Sequence, residues 1–65
     1  MTDTVFLKRA IALGKKMREE LSCDMVIWED PEPKTISEKY RAITFGSFLS
    51  SKIPNKQVVC LLIHH

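Results

Sequence analysis

The sequence predicts an α+β fold in which one N-terminal amphipathic helix packs on a small, mainly antiparallel sheet. Two observations carry this prediction: apolar residues at helical spacing over residues 3–21, and two short runs of apolar, β-favouring residues at 25–28 and 58–63. The composition does not change along the 65 residues, so the chain forms one small domain, residues 1–65.

The helix at 3–21 is predicted from the angular positions of its side chains. At 100° per residue, its apolar side chains cover an arc of roughly 160°, which is typical of a helix lying on a core. Arg18 falls at the edge of this arc, where its stem can pack while its guanidinium reaches water. Gly14 lies on the apolar side and would let a neighbouring element come close. The stripe consists of Phe6, Ala10, Leu13, Gly14, Met17 and Leu21.

Two apolar runs predict strands. The run at 25–28 has no polar position to face water, which indicates a short buried strand. Pro31 and Pro33 then forbid regular pairing and predict a loop over 29–34. The run at 58–63 is the longest, although too short to span a bilayer. We expect the rest of the chain to be arranged around it, with the first helix covering one face. In the antiparallel fold the second face must meet a partner chain or stay exposed.

The middle of the chain, residues 35–53, is open to two interpretations. Thr35 and Glu38 have the spacing of a capping box, which favours a helix and a right-handed parallel βαβ crossover, giving an α-β-α-β alternative. Residues 40–45 are rich in β-formers and Gly46 interrupts the helical pattern. We therefore favour a strand at 39–45, with 48–53 as a weaker strand or an irregular connection, and a tight turn at 54–56.

The sequence carries no motif for catalysis, metal binding or phosphate binding. Cys23 and Cys60 are far apart, whereas zinc ligands come in short-spaced pairs. The only histidines, His64 and His65, stand at the end of the chain, where order is usually poorest. We therefore expect no enzyme activity, no metal and no cofactor.

The two cysteines indicate where the protein resides. The start of the chain lacks a signal-peptide pattern, so Cys23 and Cys60 are interpreted as free thiols of a cytoplasmic protein and not as a disulfide. We expect no membrane association, and the net charge of +2 is too small to specify a class of partner.

The surplus of apolar residues predicts a function in association. A chain this short buries only about 60% of its surface, so burial against a partner would add stability. We expect a non-catalytic protein–protein interaction module, an accessory or phage-like regulator that forms a homodimer or larger homo-oligomer and binds a protein of unspecified identity. The candidate interface residues are Trp28, Val59, Leu61 and Ile63.

The alternative function is that of a small dimeric nucleic-acid-binding regulator. The densest basic cluster lies on the first helix, and lysine and arginine side chains are the groups that contact phosphates. The commoner explanation of such a cluster is the solvated back of an amphipathic helix. The candidate contacts are Lys8, Arg9, Lys15, Lys16 and Arg18.

Overall fold

A computed structural model describes residues 2–65, with side chains from position 4 onward. It confirms the predicted α+β fold, with a long N-terminal helix and a three-stranded antiparallel sheet. A 3-10 turn precedes the second strand at Ile36–Glu38, and another precedes the third at Asn55–Gln57. The elements are α1 (Thr2–Leu21), β1 (Met25–Glu29), β2 (Tyr40–Thr44), α2 (Phe45–Ser50) and β3 (Val58–Leu62).

The strand order is β2-β1-β3, and both pairs of neighbouring strands are antiparallel. The alternative with a parallel crossover is therefore not supported. The prediction that the rest of the chain is arranged around the last apolar run is wrong, because β3 lies at an edge and β1 in the middle. Met25, Val26 and Ile27 of β1 are at most 2% exposed.

Helix α1 packs on one face of the sheet, and Gly14 lies tightly against that face. A Cβ atom on Gly14 would lie 2.8 Å from Cδ1 of both Ile27 and Leu62 and 3.8 Å from the Cβ of Ala42. Ala10 and Gly14 are both buried, whereas Leu13 is 52% exposed. The placement of Leu13 in the packed stripe is therefore wrong, because α1 packs on the sheet through Ala10 and Gly14.

The turn after α1 brings the chain directly into β1. Ser22 has a φ of 51°, and the amide of Cys23 donates to the carbonyl of Arg18 at 3.3 Å. A left-handed residue followed by this backbone bond is the usual way in which a helix ends and satisfies its last carbonyls. Because the turn is so short, α1 is held against the first strand that follows it.

The middle of the chain departs from two expectations. The segment 48–53, expected as a weaker strand or an irregular connection, begins inside α2 and is irregular only after Ser50. The first turn of α2 is capped by Thr44, whose hydroxyl oxygen accepts from the amide of Ser47 at 3.2 Å. The capping box does not form, since the Thr35 hydroxyl bonds the Ser37 hydroxyl at 2.9 Å and caps no amide. A 3-10 turn occupies that position in place of a crossover helix.

The chain between β2 and β3 has to cross the sheet. Both outer strands run antiparallel to β1, so they point the same way and are joined across it by residues 45–57. Side chains alternate between faces, so Val26 lies on the face opposite Ile27 and α1. Val26 is nevertheless buried, and α2 contacts both β1 and β2. The crossing segment is thus the part of the chain available to cover this second face.

No helix of the described residues is both long and apolar enough to cross a membrane.

The close approach at Gly14 can be tested by substitution. We expect Gly14→Ala to lower the free energy of unfolding by up to about 2 kcal/mol, because the strain of overpacking exceeds the gain in helix propensity. Gly14→Leu should lower the free energy of unfolding further, because its side chain is larger. Gly46→Ala is the matched control, since a Cβ there meets nothing within 4 Å, and it should be neutral or stabilising. Urea unfolding followed by circular dichroism measures all three, and equal effects at both glycines would contradict this packing.

Candidate interaction surface on the third strand

The third strand exposes one of its two apolar faces. Along β3 the side chains alternate: Val58, Cys60 and Leu62 are partly buried, and the residues between them are exposed. The exposed set begins in β3 and continues one residue past its end. It comprises Val59, Leu61 and Ile63, with exposures of 41% to 47%, and we call these three residues the β3 apolar row.

The position of the row follows from strand register. Leu61 lies directly opposite Val26 on β1, whereas Cys60 lies opposite Ile27, which faces α1. Directly opposed residues share a face of the sheet. Leu61 is therefore on the face away from α1, and alternation along the strand places Val59 and Ile63 on that side as well. The crossing segment, whose helix α2 contacts β1 and β2, is the part of the chain available to cover this face.

Trp28 lies on the same face at the other end of β1. It is partly buried and pairs with Val58 beyond a shift in register, which makes Val59 the extra residue of a β-bulge. All four predicted interface residues, Trp28 included, are thus placed on one side of the sheet. Only the three from the end of the chain are exposed, and Trp28 contributes mainly to packing.

The backbone of β3 is free along its outer edge. The amide of Phe45 donates to the carbonyl of Asp24 at 3.0 Å, and the amide of Asp30 donates to the carbonyl of Lys39 at 2.7 Å. Even-numbered residues of β1 therefore bond toward β2, and the odd-numbered ones bond toward β3. In the β1–β3 register the odd-numbered residues Met25 and Ile27 lie opposite Leu62 and Cys60. The N–H and C=O groups of Leu61 consequently point away from the sheet.

The opposite edge, β2, is chemically different. Arg41 on β2 forms an ion pair with Asp30, Nε to Oδ2, at 3.2 Å, and another with Glu38, Nη2 to Oε2, at 3.8 Å. Lys39, which precedes the strand, pairs with Glu29 at 3.9 Å. Charged side chains on an edge strand oppose pairing with another chain. β3 carries no charged residue at all.

The end of the chain is anchored, contrary to the expectation of a loose terminus. The amide of His64 donates to Oδ1 of Asp24 at 2.8 Å. A guanidinium nitrogen of Arg18 donates to the carbonyl of Ile63 at 3.4 Å, and the imidazole of His64 lies 3.8 Å from the Glu19 carboxylate. These contacts hold the last residues of the β3 apolar row in the plane of the sheet.

Both cysteines are free thiols, and Cys60 faces the helix side of β3. Burial raises the pKa of the Cys60 thiol, an effect that the nearby Lys15 ammonium partly offsets. Within residues 2–65, no three His, Cys, Asp or Glu side chains cluster as metal ligands would, and no cavity is present.

Three of the five basic residues of α1 that were predicted to contact nucleic acid have contacts within the molecule. Lys16 lies 4.0 Å from Glu20, and Arg18 lies 3.8 Å from Glu19 in addition to its bond with Ile63. The Arg9 guanidinium stands over the Phe6 ring at 5.4 Å. Lys8 and Lys15 are exposed. The nucleic-acid alternative stays a prediction, and these contacts do not assemble the five basic residues into one surface.

Some exposed apolar residues were not anticipated from the sequence. On α2, Leu49 is 67% exposed and Phe45 stacks on Phe48 with ring centroids 6.4 Å apart. In the sequence, these residues fall outside the apolar stripe that a helix over the middle segment would have. We interpreted this departure as evidence for a strand and not for a helix with exposed apolar residues.

Comparison of the chain with protein-family models, with curated proteins and with solved structures finds no match.

The anchor of the chain end generates a testable prediction. Asp24→Ala should lower the free energy of unfolding by about 1–2 kcal/mol, because the amide of His64 loses a charged acceptor. Asp24→Asn, which keeps an acceptor oxygen, should lose less. Urea unfolding at neutral pH measures both. If Asp24→Ala unfolds at the wild-type urea concentration, the bond to His64 does not hold the end of β3.

Proposed function

We propose that this chain is a small cytoplasmic protein-interaction module that acts without catalysis and self-associates through the β3 apolar row. The observation that supports the proposal best is the row itself: three large apolar side chains, each more than 40% exposed, on an uncharged edge strand. Apolar edges of this kind are usually avoided or covered in soluble proteins, and where they persist they mark contact surfaces.

The size of the molecule supports the same proposal. A compact monomer of 7.5 kDa should expose about 4,250 Å², whereas this chain exposes 4618 Å². Only four apolar side chains are buried among the described residues, and three of them belong to β1. A fold with so small a core gains stability from any partner that covers its apolar surface, because binding to the folded state shifts the folding equilibrium.

The location of the row favours association over further packing within the chain. The crossing segment leaves Leu61 47% exposed, and the amide and carbonyl of Leu61 are directed outward. The other exposed leucines among the described residues, Leu13, Leu21 and Leu49, lie on helices, whose backbone groups bond mainly within the helix. The β3 apolar row thus combines exposed apolar side chains with unpaired backbone hydrogen-bonding groups, a combination that is not found on either helix.

Sedimentation velocity tests the proposal. The wild-type chain should sediment at micromolar concentration as a species heavier than 7.5 kDa. Leu61→Asp or Val59→Asp should shift it to the monomer, weakening association at least tenfold, because a carboxylate would have to be buried. Circular dichroism checks that each variant remains folded.

Leu49→Asp is the matched control for this experiment. It makes the same change at a leucine that is even more exposed, and association should persist. Two results would contradict the proposal: a wild-type chain that is monomeric throughout the concentration range, or β3 and α2 variants that behave alike.

A further inference from the structure

We infer that two copies of this chain join edge to edge, by antiparallel pairing of β3 with β3, into one continuous six-stranded sheet with Leu61 on the two-fold axis. This inference rests on the proposed self-association and names its geometry. In this arrangement the outward N–H and C=O of Leu61 bond the same groups of Leu61 in the second copy. Val59 lies opposite Ile63 of the second copy.

The free backbone groups favour edge pairing over contact between two faces. The bonds at Asp24 and Asp30 fix which residues of β1 turn toward β3. The amide of His64, two residues past Leu62, also points toward β1, where it meets Asp24. Three independent bonds therefore agree that Leu61 directs its hydrogen-bonding groups outward. A face-to-face contact would leave those groups bonded only to water.

The bulge selects the register. Every symmetric antiparallel register keeps the apolar row on one face, and three of them centre on this stretch, with Cys60, Leu61 or Leu62 on the axis. The first requires outward bonding by Val59, which is the extra residue at the register shift and lies outside the regular ladder. The third requires outward bonding by Ile63, whose carbonyl already accepts from Arg18. The second needs only the groups of Leu61 at its centre, where the ladder is regular. The register with Leu61 on the axis is therefore the one that this strand can form.

The charge distribution favours a second copy as the occupant. Residues 57–63 carry no charge, so two copies meet without opposing like charges. The pairing also places the two apolar rows side by side on one face and makes a continuous apolar strip. A standard interface buries about 800 Å² per partner, or about a sixth of the 4618 Å² surface. An edge pairing of this length covers less than that, so we expect reversible association at micromolar concentration.

Hydrogen exchange measured by NMR tests the geometry in the wild-type chain. The amide of Leu61 should exchange at least tenfold more slowly at a concentration where the chain is associated than at one where it is monomeric. The amides of Cys60 and Leu62 are the internal controls, because they bond to β1 in both states. If the chain associates and the exchange of Leu61 is unchanged, edge pairing is wrong and the proposed self-association stands. If the chain never associates, both are wrong.

A pair of variants separates the backbone from the side chain. Leu61→Pro and Leu61→Ala both remove the leucine side chain, but only proline also removes the outward amide. Proline is tolerated on an edge strand where the amide faces solvent, so both variants should fold. Edge pairing predicts that proline weakens association at least tenfold more than alanine does. Equal weakening by the two folded variants would overturn the inference.

Disulfide trapping tests the register. Directly opposed residues of a hydrogen-bonded pair have Cα atoms about 5.5 Å apart, within reach of a disulfide. The Cys60→Ser/Leu61→Cys variant should therefore form a covalent dimer with diamide, which takes up the two electrons and two protons released by the thiols. The Cα atoms of two native Cys60 residues would be about 8 Å apart, which is too far. Rapid trapping of native Cys60 with no trapping at position 61 would overturn the register.

Discussion

Burial of β1 on both faces and both edges is the constraint on which the rest of this structure depends. Met25, Val26 and Ile27 are almost completely inaccessible, and they pair with β2 on one side and β3 on the other. Residues 25–28 carry no polar side chain, and the central position in the sheet pairs both edges of this strand and leaves neither edge to water. The short turn at Ser22 then brings α1 over one face, and the crossing segment has to take the other.

The close packing of α1 on β1 limits what the helix can cover. Because α1 packs on the sheet through Ala10 and Gly14, its backbone lies close to Ile27 and Ala42. The helix contacts β3 less extensively than β1 and β2. Leu13 is turned out to the flank as a consequence. The β3 apolar row lies on the opposite face of the sheet, so its exposure depends on the crossing segment and not on the position of this helix.

The sequence was sufficient to predict α1 and the three strands, but not α2 or the order of the strands in the sheet. The periodicity of α1 and the apolar runs of β1 and β3 are local signals, and each predicted its element to within one or two residues. Which strand becomes central depends on the connections, and the longer run in β3 was mistaken for the more buried one. Six consecutive apolar residues conceal the alternation between the helix side, with Cys60, and the open side, with Leu61. The sequence prediction missed α2, although threonine at position 44 is a residue type that favours helix N-caps.

The two edges of the sheet differ in charge, and this difference limits how many copies of the chain could associate. In the proposed dimer the outer strands of the six-stranded sheet are both β2, where Arg41 is held between Asp30 and Glu38. Charged edges of this kind resist the addition of further strands. At the inner edge the bulge at Val59 and the bond from Arg18 to Ile63 restrict the free backbone to a short stretch around Leu61. A sheet that offers one short uncharged edge and one charged edge can pair once and then has no edge left for growth, which distinguishes a closed dimer from an open-ended aggregate.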